Sequence, residues 1–159
     1  MRSSSGWREL MRALVEFLGT FLLGIVSGVS LSHLLQRGPK AALPGPQFLA
    51  VQQVLFRNYG PAIGGLEAAA LFFTLAMAIV TRGAGATPLL ATLASGCVLL
   101  MVIIWARWIN PINKTVNSWT PESLPSSWSR LRDRWHTLHA IRLALSVVAF
   151  SAVIVALLA

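Results

Sequence analysis

Long apolar runs separated by polar stretches dominate the hydrophobic pattern of this chain. Four runs occupy residues 13–35, 63–81, 88–108 and 140–159. Each is close to the roughly 20 residues that an α-helix needs to cross about 30 Å of hydrocarbon. In lipid, a helix can satisfy all of its own backbone hydrogen bonds. The pattern therefore predicts an all-α fold, a four-helix transmembrane bundle.

The first connection is long and contains four prolines. Within it, residues 46–58 predict a short amphipathic helix at the membrane interface. The residues expected on one face of that helix are Phe48, Val51, Leu55 and Phe56.

The other two connections differ sharply. Residues 82–87 form a short glycine-rich stretch that predicts a tight turn. The third connection, 109–139, opens with Asn110 and Pro111, and the proline predicts that the third span ends there. Proline-marked turns follow, and from about residue 126 the pattern predicts a helix continuous with the fourth span.

Composition supports a membrane protein. The 159 residues are 55% hydrophobic and 11% charged, with a formal net charge of +8, whereas soluble domains contain about 25% charged residues. The basic residues lie mostly at the ends of apolar runs, where they would meet lipid phosphates, so nucleic-acid binding is not expected. The length suits one membrane domain, residues 1–159. The single cysteine, Cys97, cannot form an internal disulfide.

Candidate chemistry is concentrated between residues 105 and 142. This segment holds five of the six tryptophans, and an interfacial belt accounts for most of them. Glu67, inside an apolar run, requires a partner because a carboxylate at mid-span costs about 2.5–3.5 kcal/mol. Arg142, His139 and His33 are predicted at the same membrane level. Glu67 is equally consistent with a structural ion pair and with ligand binding or proton transfer.

Two histidines near the fourth span are candidates for proton transfer. His136 and His139 are three residues apart and therefore share a helix face. A metal site would need one or two more ligands, and no Cys, His or Asp cluster accompanies the pair. A neutral imidazole suits proton transfer or hydrogen bonding to a substrate better. We therefore expect no metal ion and no cofactor.

The third connection offers two amides and an aromatic ring as candidate ligand contacts. Asn110 and Asn113 can cap backbone groups that the proline frees, or direct a carboxamide toward a polar ligand group. Trp135 can stack on a flat aromatic or quinone-like molecule. The sequence contains no phosphate-binding loop, nucleophile elbow or haem-attachment motif.

The carboxy-terminal half resembles the anthrone oxygenase-like family of small four-span membrane proteins. The residues that carry the resemblance are Asn110, Pro111, Asn113, Trp119, Trp128, Arg134, Trp135, His139 and Arg142. The loop after the first span is similar more loosely, through Phe48, Gln52, Gln53 and Arg57. The resemblance implies oxidation of a lipophilic aromatic substrate without metal or flavin.

Two functions follow as hypotheses. In the first, a cofactor-independent oxygenase uses His139, or His136, to remove a proton, while Arg142 and Asn113 stabilise the resulting enolate. Asn110, Trp135, Glu67 and His136 would then bind the substrate. In the second, the chain is a non-catalytic accessory subunit that docks partner subunits in a larger membrane complex. Either protein would be multi-pass, and a bacterial inner membrane is expected.

Overall fold

The computed structural model describes residues 4–57 and 59–159, and its helices follow the hydrophobic pattern closely. Seven α-helices and one π-helical segment run in chain order: α1 Ser4–Leu35, α2 Arg37–Ala41, α3 Gly45–Leu55, α4 Tyr59–Val80, α5 Thr87–Ile104, the π-helical segment Trp105–Ile109, α6 Asn110–Asn117 and α7 Trp128–Leu158. The described part of the chain contains no β-strand.

Helices α1, α4, α5 and α7 form a four-helix bundle, as predicted. Helix α1 packs on α4 and α7, and α5 packs on the same two neighbours. Small side chains at the contacts, among them Ala70, Ala94 and Ala149, are fully buried and allow the helices to approach closely. The four long helical stretches are long and apolar enough to cross a membrane.

The outside of the bundle carries many large apolar side chains. Phe17, Phe72 and Leu89 are each more than 60% exposed. In water such a surface would drive association, whereas in lipid it is the expected outer face of a bundle. The chain is therefore an integral membrane protein.

The prediction that the third span ends at Asn110 was wrong. The helix continues through the π-helical segment into α6 and ends at Asn117. Pro111 lies in the first turn of α6, directly after this segment. The Asn110 N–H donates to the Trp105 carbonyl, which closes one wider turn. The chain thus passes the proline by changing its helical register.

The predicted interfacial helix is present as α3, and Asn58 lies outside the described residues. Of the four residues predicted on its apolar face, Phe48 is buried and Leu55 is 63% exposed. The buried positions are Gly45, Phe48, Leu49 and Gln52. These positions are three or four residues apart and form one helix face. This buried face differs from the predicted apolar face, because it includes Gln52 and not Leu55.

Gly45 sets how closely α3 can approach the start of α7. A Cβ atom there would clash with Leu124 Cδ2 and lie 3.1 Å from the Trp128 ring. We expect Gly45→Ala to lower the melting temperature of the detergent-solubilised protein, with a cost of about 1–3 kcal/mol from overpacking. Gly38→Ala is the matched control because a Cβ there meets nothing within 4 Å. Equal melting temperatures for the two variants would contradict the packing argument.

Candidate functional site

A cavity of about 460 Å³ opens at one end of the bundle. It lies where α1 ends, α4 begins, the π-helical segment leads into α6, and α7 enters the bundle. Ligand sites in proteins commonly measure about 300–1,000 Å³. Its lining combines aromatic rings, amides, two histidines and an ion pair. The predicted site residues that line it are Glu67, Asn110, Asn113, Trp135, His139 and Arg142.

The buried ion pair of Arg142 and Glu67 joins α7 to α4 at this cavity. The Arg142 Nη2 group donates to Glu67 Oε1. Both side chains are almost completely buried, at 5% and 3% exposed. The predicted need of Glu67 for a partner at the same membrane level is thus met by Arg142. Because Glu67 compensates the arginine charge, Arg142 contributes to the cavity mainly through its other N–H groups.

Three rings from α1 and α7, those of His33, Trp135 and His139, pack against one another beside this ion pair. The centroids of the His33 and His139 rings are 4.1 Å apart, and those of Trp135 and His139 are 4.0 Å apart. Trp135 and His139 are four residues apart on α7, which puts both on one face. His33 reaches them from the last turn of α1. The arrangement holds the His139 ring between two aromatic neighbours.

Asn113 is oriented by a hydrogen bond from Trp135. The Trp135 Nε1–H donates to Asn113 Oδ1 over 2.9 Å. Because an indole nitrogen can only donate, the carboxamide oxygen of Asn113 is committed and its NH₂ group remains available. Asn113 lines the cavity, so this amide can donate to a ligand oxygen.

The π-helical segment affects which side chains of α6 meet the cavity. One extra residue in a helical turn rotates everything after it by about 100° relative to a continuous α-helix. Trp105 and Ile109 of the wider turn line the cavity, and so do Asn110 and Asn113 after it. Side chains on both sides of the change in register therefore meet the same space.

Two buried nitrogen atoms at the cavity have no hydrogen-bond partner among the described residues. They are His33 Nδ1 and Arg142 Nε, and both side chains line the cavity. Buried polar atoms in folded proteins are nearly always paired, so such atoms point to a ligand or an ordered water. The side chains that line the cavity thus include polar groups suited to a molecule that carries hydrogen-bonding oxygens.

His136 lies apart from the other predicted site residues. It is 2% exposed, does not line the cavity, and packs its ring against Trp135 at 5.0 Å. Its two ring nitrogens are buried without hydrogen-bond partners in the part of the chain that the structure describes. Among the residues that the structure describes, no group of three or more His, Cys, Asp or Glu side chains is arranged to hold a metal ion.

Sequence reasoning missed several residues of the site. The first connection contributes Gln52, Phe56 and Tyr59 to the cavity wall, and Lys40 lies buried behind them. His33 was noted only for its membrane level. Hydropathy gives no signal for these positions, because a lysine or glutamine in a loop normally indicates solvent. The four prolines of that connection were the available hint that the loop is folded back.

A glycine face on α4 gives the cavity part of its width. Gly60 and Gly64 are one turn apart and both line the cavity. A Cβ at Gly64 would meet nothing within 4 Å. A larger side chain there would therefore occupy ligand space without disturbing the helix contacts.

We expect Gly64→Leu to weaken binding of a flat aromatic probe, 9-anthracenemethanol, about tenfold or more, from a steric cost of ~1–3 kcal/mol. Quenching of tryptophan fluorescence in lipid nanodiscs measures this binding. Gly65→Leu is the matched control, because Gly65 is exposed and does not line the cavity. Unchanged affinity in Gly64→Leu would show that the probe binds elsewhere.

Comparison with known proteins identifies the family. The family model described as anthrone oxygenase matches residues 53–152, more than half of the chain. No curated protein and no solved structure matches. The matched region contains Glu67, Trp135, His139 and Arg142 of the cavity. The chain therefore belongs to the anthrone oxygenase family.

Proposed function

We propose that the protein oxidises a lipophilic aromatic ketone of the anthrone type to the corresponding quinone, using molecular oxygen. One observation carries this proposal: a base, amide and guanidinium donors, and aromatic rings all line a single cavity in an apolar bundle. These are the groups that removal of a carbon-bound proton beside a carbonyl requires. Membership of the anthrone oxygenase family supports the substrate class.

Binding of such a substrate would rely on ring stacking. Trp135 is buried and lines the cavity, with Phe56 at a centroid distance of 6.0 Å. Indole and phenyl rings bind flat aromatic molecules through apolar contact and offset stacking. A substrate dissolved in the membrane would leave one apolar environment for another, so its entry into this cavity would cost little free energy.

Proton removal is assigned to His139. In its neutral form an imidazole can take a proton from the methylene carbon of the substrate, leaving an enolate. The Arg142 guanidinium and the Asn113 NH₂ group belong to side chains that line the same cavity, and they would bind the enolate oxygen as charge develops. Arg142 acts here as a hydrogen-bond donor whose own charge is balanced by Glu67.

Oxygen then takes electrons from the enolate carbon. A new C–O bond forms, and the peroxide anion accepts the proton from protonated His139 to give a hydroperoxide. Removal of the second methylene proton by His139 expels hydroxide as the O–O bond breaks and the C=O bond forms. The hydroxide takes that proton and leaves as water. The balance is CH₂ + O₂ → C=O + H₂O, so the substrate carbon is oxidised and dioxygen is reduced.

The direct test is conversion of emodin anthrone in air by the purified protein in nanodiscs. We expect quinone absorbance to rise faster than in empty nanodiscs, with one molecule of dioxygen consumed per quinone formed. Empty nanodiscs are the necessary control because anthrones also oxidise slowly by themselves. Equal rates in both samples would refute the proposal.

A further inference from the structure

The buried charges around the cavity do not cancel. Among the described residues, three charged side chains are buried: Lys40, Glu67 and Arg142. Glu67 and Arg142 neutralise each other. Lys40 is 4% exposed and has no carboxylate within salt-bridge distance in the described part of the chain. An isolated buried charge is costly unless something compensates it.

Lys40 contacts three side chains that line the cavity, from behind them. Its Nζ lies 3.6 Å from the centroid of the Phe56 ring and 5.2 Å from that of Trp135. It also donates a hydrogen bond to Gln52 Oε1 over 3.1 Å. Lys40 itself does not line the cavity, whereas Phe56, Trp135 and Gln52 do. The ammonium is therefore separated from a ligand by about one layer of side chains.

The bond from Lys40 also determines the orientation of Gln52. Because an ammonium group can only donate, the oxygen of the Gln52 carboxamide must face Lys40. The Gln52 NH₂ group is then left as a donor, and Gln52 lines the cavity. The lysine thus supplies both a positive field and an oriented amide donor.

We propose that the cavity selects anionic aromatic ligands, and that Lys40 is the positioning residue that provides the balancing charge. This inference rests on the proposed function, in which the enolate is the anion. A ligand stacked on Phe56 or Trp135 at van der Waals distance would lie about 7–9 Å from Nζ. At that range, in a partly buried site, one unit charge changes anion affinity on the order of tenfold.

Paired probes of similar shape test the proposal without any turnover. 9-Anthracenecarboxylate carries a negative charge, and 9-anthracenemethanol is neutral. Both are titrated into protein in nanodiscs of zwitterionic lipid, and binding is followed by quenching of tryptophan fluorescence. We expect Lys40→Met to weaken binding of the carboxylate about tenfold relative to wild type, with little change for the alcohol. Lys40→Arg should retain most of the preference for the anion.

Arg57 provides the matched control, because it is an exposed cation at the rim of the same cavity. Arg57→Gln should change the preference less than Lys40→Met does, since solvent screens its charge. Binding of the alcohol reports whether each variant still has an intact cavity. If Lys40→Met does not fold, the wild-type protein still tests the proposal. Binding of the carboxylate that is equal to or weaker than binding of the alcohol would overturn it.

The outcomes separate this inference from the proposed function. The role of Lys40 is overturned if Lys40→Met still prefers the carboxylate, or if Arg57→Gln loses that preference instead. Either result would stand even if the protein oxidises anthrone. A Lys40-dependent preference in a protein that does not oxidise anthrone supports the charge selectivity and refutes the reaction.

Discussion

Replacing either member of the Glu67–Arg142 pair alone is expected to destabilise the protein severely. Both side chains are buried and bonded to each other, so removing one leaves an uncompensated charge inside the bundle. Such a loss typically costs about 3–5 kcal/mol. We expect Glu67→Leu and Arg142→Met each to lower the melting temperature in detergent strongly, and to reduce the monodisperse fraction in size-exclusion chromatography.

The double variant Glu67→Leu/Arg142→Met separates charge compensation from packing. Because both charges are removed together, we expect it to be clearly more stable than either single variant. The exposed Arg12–Glu16 pair on α1 is the comparison, since Arg12 is 46% exposed and such pairs contribute about 0–1 kcal/mol. A double variant whose losses simply add would contradict the view that the two charges stabilise each other.

Replacing His139 with glutamine is expected to give the largest loss of activity. Glutamine keeps hydrogen-bonding atoms at this position but cannot accept a proton at neutral pH. General base catalysis by a positioned side chain contributes about 10²–10⁴-fold, so quinone formation should fall by that factor. Initial rates with emodin anthrone, corrected for empty nanodiscs, give the measurement.

His136 is the natural comparison for His139. It lies one turn earlier on α7 and is also buried, but it does not line the cavity. We expect His136→Gln to lose far less activity than His139→Gln. Binding of the quinone product, measured by tryptophan quenching, checks that each cavity is intact. A greater loss in His136→Gln than in His139→Gln would move the base to His136.

The rotation of α7 explains why only one of the two histidines lines the cavity. Positions 135, 139 and 142 lie within about 60° of one another around a helix, at 100° per residue. Position 136 is about 100° from position 135 on the same wheel. The i, i+3 spacing correctly groups His136 with His139 on a broad face. It does not say which part of that face meets the cavity, because this depends on how α7 is turned against its neighbours.

The amide and aromatic positions were foreseen to different degrees. The polar segment after the third span indicated Asn110 and Asn113, and both line the cavity. The contribution of the first connection was not foreseen beyond its helix. Lys40 and Gln52 are polar residues that a linear pattern assigns to solvent, and they are buried only because α2 and α3 fold back over the bundle. Their roles depend on contacts between segments that are distant in the chain, such as the bonds from Gln53 to the Val116 and Trp119 carbonyls.

By itself, the sequence determined four spans, a short helix in the first connection, a polar end to the bundle, and the family. These features follow from local rules, because lipid demands about 20 apolar residues per helix and leaves polar groups at the ends. Only the tertiary structure decided which polar groups meet. In it, Glu67 pairs with Arg142, the third helix continues past Pro111, His136 does not line the cavity, and Lys40 lies behind the cavity wall. Each of these outcomes depends on helix rotation and on loop packing, and neither is encoded in hydropathy along the chain.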